Sequence, residues 1–60
     1  MRHLTTAELA TRLSISPFTL ANWRVTGEGP RFVKVGRLVR YPLVEVEAWE
    51  ERNLRRSTVG

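Results

Sequence analysis

Ser16-Pro17-Phe18-Thr19-Leu20-Ala21-Asn22-Trp23-Arg24-Val25-Thr26-Gly27 is the stretch whose reading decides the rest of the chain. Ser16 supplies an N-cap oxygen, Pro17 takes the first helical position where its missing N–H costs nothing, and Gly27 offers a left-handed stop. The segment is therefore read as a short helix punctuated at both ends. Leu20 and Trp23, three apart, turn to one side and bury. That leaves Pro17, Phe18, Ala21, Asn22 and Val25 facing outward with Arg24 at the edge. Such a face suits a groove in DNA better than open water.

On the N-terminal side, Thr5 and Glu8 stand in the S/T-x-x-E relation of a capping box, which satisfies two N–H groups at a helix start. Leu9, Ala10 and Leu13 then define one apolar side, and Leu4 precedes the cap to pack back on it. Ser14-Ile15-Ser16 is a tight turn pinned inward by Ile15. Helix, three-residue turn, helix is the helix-turn-helix arrangement.

On the C-terminal side, Glu28-Gly29-Pro30 cannot continue a helix. Two β-rich runs follow, Arg31-Phe32-Val33-Lys34-Val35 and Leu38-Val39-Arg40-Tyr41, about Gly36-Arg37, and they predict a hairpin. A two-residue loop groups Phe32, Lys34, Val39 and Tyr41 on one face; a three-residue loop, Val35-Gly36-Arg37, groups Arg31, Val33, Val39 and Tyr41. The second register is preferred because it keeps Lys34 and Arg40 together on the outer face. In that register the tip carries Arg37 into solvent, as in a wing. Pro42 to Asn53 reads as a last helix that closes the core, with Val46 and Trp49 as its buried stripe and Leu43 and Asn53 at the margins. The fold class expected is α+β: a small winged helix-turn-helix, three helices with a two-stranded antiparallel wing between the second and third. Residues 1–53 form its one domain, and 54–60 read as a flexible, fraying tail.

Sixty residues leave no room for a second core, and a domain of this size buries only about 60% of the surface its unfolded chain exposes. With no cysteine, neither a disulfide nor a thiolate zinc site supplements it. No apolar run approaches the ~20 residues that span a bilayer, and no signal-peptide core follows Met1. A cytoplasmic protein is expected, without membrane partner, small-molecule substrate, metal or cofactor. Enzyme chemistry is the least favoured class: there is no Asp and no Cys, His3 has no local acid–base partner, and Glu45 and Glu47 at i, i+2 point to different sides of a helix.

Ten basic residues against six acidic give a net charge of +4. Their distribution matters more than their sum. Arg24, Arg31, Lys34, Arg37 and Arg40 crowd the middle of the chain beside one acid, Glu28, while Glu45, Glu47, Glu50 and Glu51 follow. The molecule thus has a basic side and an acidic side, and the basic side lies next to the candidate reading helix. Arg24, Arg31, Lys34 and Arg40, with Ser16 at the helix start, are assigned to the DNA backbone, where contacts position a protein without specifying sequence.

Taken in order, Leu4-Thr5-Thr6-Ala7-Glu8-Leu9-Ala10, Ser16-x-x-Thr19-Leu20-x-x-Trp23, Gly29-Pro30-x-Phe32-Val33-Lys34-Val35-Gly36-Arg37, Arg40-Tyr41 and Glu47-Ala48-Trp49 resemble the small phage and plasmid excisionases, the AlpA-like regulators and the DNA-binding domain of MerR-type proteins. The resemblance runs from Leu4 to about Trp49. It implies that the second helix enters the major groove and that the wing reaches the neighbouring minor groove or backbone. For the excisionases it further implies that several copies bind side by side on attachment-site DNA, bend it and direct a tyrosine integrase toward excision. Carried over by position, base reading falls on Phe18, Thr19 and Asn22, with Val25 one turn further, and the wing role falls on Arg37. Phe18 and Val25 depart from the lambdoid excisionases, which carry charged residues there, so the sequence read must differ. Asn22 can pair with adenine N6 and N7.

Several alternatives stay open on sequence. Phe18 covers the edge of the core or sits in the groove; Asn22 reads a base or is solvated surface. The late glutamates are a solvated face or a surface for a neighbouring copy. Arg52, Arg55 and Arg56 are a solubilising end or, by analogy, an integrase-docking segment. An AlpA-like transcriptional regulator is the first alternative function, and a protein-interaction module without DNA binding is the second.

Overall fold

In a computed structural model, the structure describes residues 2–57, with side chains described for residues 2–53. The order of elements is β1 (His3–Leu4), α1 (Thr6–Leu13), α2 (Pro17–Thr26), β2 (Val33–Val35), β3 (Leu38–Pro42) and α3 (Leu43–Ser57). The architecture is the expected α+β winged helix-turn-helix, with one strand added. His3–Leu4 pairs antiparallel with the far end of β3, His3 opposite Pro42 and Leu4 opposite Tyr41, so the sheet has the order β1-β3-β2. His3 is therefore held in a strand, and the Leu43 N–H donates to the Arg2 carbonyl at 2.9 Å to close the same end.

Local chemistry sets the helix ends. Thr5 Oγ1 accepts from the Glu8 N–H at 3.0 Å and Glu8 Oε1 accepts from the Thr5 N–H at 2.8 Å, a reciprocal capping box. Leu4 before the cap and Leu9 four positions into the helix both reach the core, as a hydrophobic staple requires. Helix α1 stops at Ser14, which takes the left-handed conformation (φ 57°) and, with Ile15, returns its N–H to the last turn. Ser16 then caps α2, its Oγ accepting from the Phe18 N–H at 3.1 Å, and Gly27 (φ 85°) ends it.

Leu4, Leu9, Ala10, Leu20, Tyr41 and Val46 form the buried core, with Leu13, Ile15, Trp23, Val39 and Leu43 packed around it. Every element except β2, whose three residues are all exposed, thus contributes an apolar side chain to a single centre. Burying a side chain of this size stabilises by about 1.5–3 kcal/mol. Trp23 and Trp49 meet at 5.6 Å between ring centres, inclined at 49°, and this pair seats α3 against α2. On the opposite edge Arg12 and Glu50 form a bidentate pair, both bonds 2.8 Å, that ties α1 to α3.

Two sequence expectations are corrected. The hairpin pairs Val33 with Arg40, Lys34 with Val39 and Val35 with Leu38, so its loop is the two residues Gly36-Arg37 rather than three. Gly36 has positive φ (63°) and Arg37 does not, the order of a type II′ turn. In this register Phe32 packs on Tyr41, ring centres 5.9 Å apart, and Lys34 and Arg40 lie on opposite faces. Ring packing outweighs the modest benefit of keeping two cations in line. Second, α3 begins at Leu43, directly after Pro42 ends β3, where the sequence reading opens it at Pro42, and it runs to Ser57 rather than Asn53. Leu, Arg and Arg are good helix formers and extend it.

Candidate nucleic-acid interface

Helix α2 presents a ridge to solvent. Phe18, Asn22 and Val25 recur at i, i+4 and i+7, and Phe18 and Val25 are 82% and 87% exposed. Phe18 does not cover the core edge. Asn22 is exposed, and among the described residues its amide has no partner. Seven residues of helix advance about 10 Å, close to the ~12 Å width of a major groove. Thr19 is half-buried on the flank toward Trp23. A ridge of one amide between two large apolar side chains can hydrogen-bond a base edge and cover thymine methyl groups.

Ser16 opens this helix and is exposed. Its oxygen is occupied by the Phe18 N–H, yet a hydroxyl keeps its own proton to donate, and the helix N-terminus favours an anion there. The cap and a phosphate contact are therefore compatible.

The cations separate into two groups. Arg31, Lys34 and Arg37 are exposed along the wing, Arg37 at the second loop position. Arg40 is half-buried and donates to the Val39 carbonyl at 2.8 Å. Arg24, assigned to the DNA backbone on sequence, is turned inward: Nη1 donates to the Tyr41 hydroxyl at 3.0 Å and lies 3.5 Å from Thr6 Oγ1, while the guanidinium stands 6.0 Å from the Phe32 ring centre. The reason is Tyr41. A buried phenol needs a polar partner, and Arg24 supplies it from the last turn of α2. Arg24 therefore brackets α1, α2 and the base of the wing, and fixes the angle between α2 and the wing. Nothing in the sequence near position 24 signals this, because its partners lie 17 and 18 residues away.

The turn joining helix to wing is equally constrained. Gly29 has φ 81°, and a Cβ placed on it would stand 2.7 Å from Trp23 Cε3, while Pro30 behind it is buried. The wing is thereby packed onto the back of α2. Behind the ridge, Trp23, Trp49, Glu28 and Arg52 border an open cleft of about 520 Å³. Arg52 is exposed; the side chains of Arg55 and Arg56 lie outside the described residues.

Apart from Glu28, which accepts from the Thr26 hydroxyl at the end of α2, the acidic groups sit elsewhere. Backbone hydrogen bonding at Thr5 holds the Glu8 carboxyl below the usual glutamate range, and the Arg12 guanidinium does the same for Glu50. Both keep their charge while stabilising the scaffold. Glu47 is exposed on α3.

Among known families, the model described as a helix-turn-helix domain matches residues 4–54, which takes in both helices, the wing and most of α3. No curated protein matches the chain significantly.

Proposed function

The chain belongs to the helix-turn-helix domain family, a family of DNA-binding domains, and on that premise we propose that it is a sequence-specific, architectural DNA-binding protein of the excisionase kind. In this reading α2 lies in the major groove, with Asn22 on a base edge and Phe18 and Val25 against thymine methyl groups; Thr19 flanks them. Ser16, Arg31, Lys34 and Arg40 contact phosphates, and Arg37 enters the adjacent minor groove. Several copies bind side by side, bend the site and bias a tyrosine integrase toward excision, with Arg52, Arg55 and Arg56 as the docking segment. The observation that carries the reading is the Phe18–Asn22–Val25 ridge, large and apolar at both ends, with no intramolecular task. Opposed charge supports the side-by-side arrangement: the exposed Glu47 on α3 carries charge opposite to the basic side of a neighbouring copy.

Selection from a randomised duplex pool at near-physiological salt tests this, because phosphate attraction alone then holds few sequences. Short direct repeats about one helical turn apart are expected. An inverted repeat would instead favour a dimeric, AlpA-like regulator using the same helix. A pool that stays random contradicts the proposal and leaves a protein-interaction module.

A further inference from the structure

The two-residue loop has a consequence for the wing tip. With Gly36-Arg37 as the turn, Val33, Val35, Leu38 and Arg40 share the ribbon face directed away from Tyr41. Three of these are apolar, and Val35 and Leu38, which flank the loop, are 62% and 53% exposed. Around them stand Arg31, Lys34 and Arg37, and no acid occurs between Glu28 and Glu45. An apolar tip ringed by cations is ill suited to an identical tip on a second copy, which would bring like charges together. It suits a polyanion with an apolar interior.

We propose that Val35 and Leu38 form an apolar wedge that enters the DNA minor groove with Arg37, partly unstacks a base step and kinks the duplex toward the major groove that holds α2. The proposal rests on the DNA-binding reading above and adds to it the source of the bend. Strands of a ribbon lie about 4.8 Å apart before side chains are counted, and an undistorted minor groove is only about 6 Å wide, so a tip carrying Val35 and Leu38 opens the groove as it enters. Opening the minor groove bends DNA toward the major groove. The Arg24–Tyr41–Phe32 bracket fixes the base of the wing against the end of α2, so the kink and the reading helix are held in one geometry.

The test uses the whole chain and the duplex recovered from the randomised pool, with 2-aminopurine substituted at successive positions. The unsubstituted protein is expected to raise the fluorescence of one step severalfold and to bend the duplex by about 20–90°. The double variant Val35→Thr, Leu38→Thr, which places strand-favouring β-branched side chains at both exposed positions, is expected to retain its thermal midpoint and salt slope but to lose the fluorescence rise and bind about tenfold more weakly. A bound duplex with no brightened step, or a double variant that unstacks and bends like the parent, overturns the wedge while leaving DNA binding intact. The wild-type fluorescence decides the matter even if the variant does not fold. Failure to recover any duplex removes both readings. Sedimentation showing a DNA-free dimer that Leu38→Thr dissolves would make the tip a self-association surface and overturn the wedge.

Discussion

Replacing Gly29 by Ala probes the joint between α2 and the wing. Any L-residue at φ 81° is strained by about 1–2 kcal/mol, partly offset by about 0.4–1 kcal/mol from a less flexible unfolded chain. That net cost, about 1 kcal/mol, is shared by Gly27→Ala and Gly36→Ala, where a new Cβ meets nothing within 4 Å. At Gly29 the Cβ also falls 2.7 Å from Trp23 Cε3, a ring held by Trp49, so overpacking adds about 1–3 kcal/mol. The expected loss is about 2–4 kcal/mol, against a total stability of roughly 3–9 kcal/mol for a chain this short. Urea unfolding followed by the fluorescence of Trp23 and Trp49 measures it. If Gly29→Ala falls within about 0.5 kcal/mol of Gly27→Ala, the Trp23 contact does not restrain the joint and the reasoning fails.

Three further outcomes are expected. Ser14→Gly relieves a left-handed serine while retaining its backbone bonds, and should stabilise by about 0.5 kcal/mol, raising the calorimetric midpoint by roughly 2–4 °C; a fall would contradict the cap geometry. Arg24→Met leaves the buried Tyr41 hydroxyl unpaired at a cost of about 1–3 kcal/mol, and combining it with Tyr41→Phe should recover part of that loss; in a denaturation cycle, strict additivity would sink the bracket. Glu50 has its pKa depressed by Arg12, so its contribution is present above the ordinary glutamate value of 4.5 and is lost as pH falls through the folded value. Glu50→Gln should therefore be less stable near neutrality and show a shallower decline in acid, where Glu8 still titrates; parallel pH–stability curves would refute the pairing.

What was legible in the sequence was mostly what is local. Thr5 with Glu8, Ser16 with Pro17, and Gly27 each act within one helical turn, and all three operate as expected. The ridge on α2 was readable for the same reason, since Leu20 and Trp23 fix which side is inside. The hairpin register is set by the Phe32–Tyr41 contact and by Gly at the first position of a type II′ turn, not by the placement of Lys34 and Arg40 on one face. Two-residue β1 is too short to show any period. The inward turn of Arg24 and the pairing of Arg12 with Glu50, 38 residues apart, depend on tertiary neighbours that no local pattern encodes.

The most direct measurement is the affinity of the parent, Asn22→Ala and Lys34→Ala for the selected duplex and its single-base variants, each over a range of salt. Asn22→Ala should lose about 1–3 kcal/mol on the selected duplex and discriminate less at one base pair only, with its salt slope unchanged. Lys34→Ala should weaken every duplex alike and reduce the salt slope by about one. If Asn22→Ala instead weakens all duplexes equally, or Lys34→Ala leaves the slope intact, α2 is not the reading helix and the wing is not its phosphate clamp.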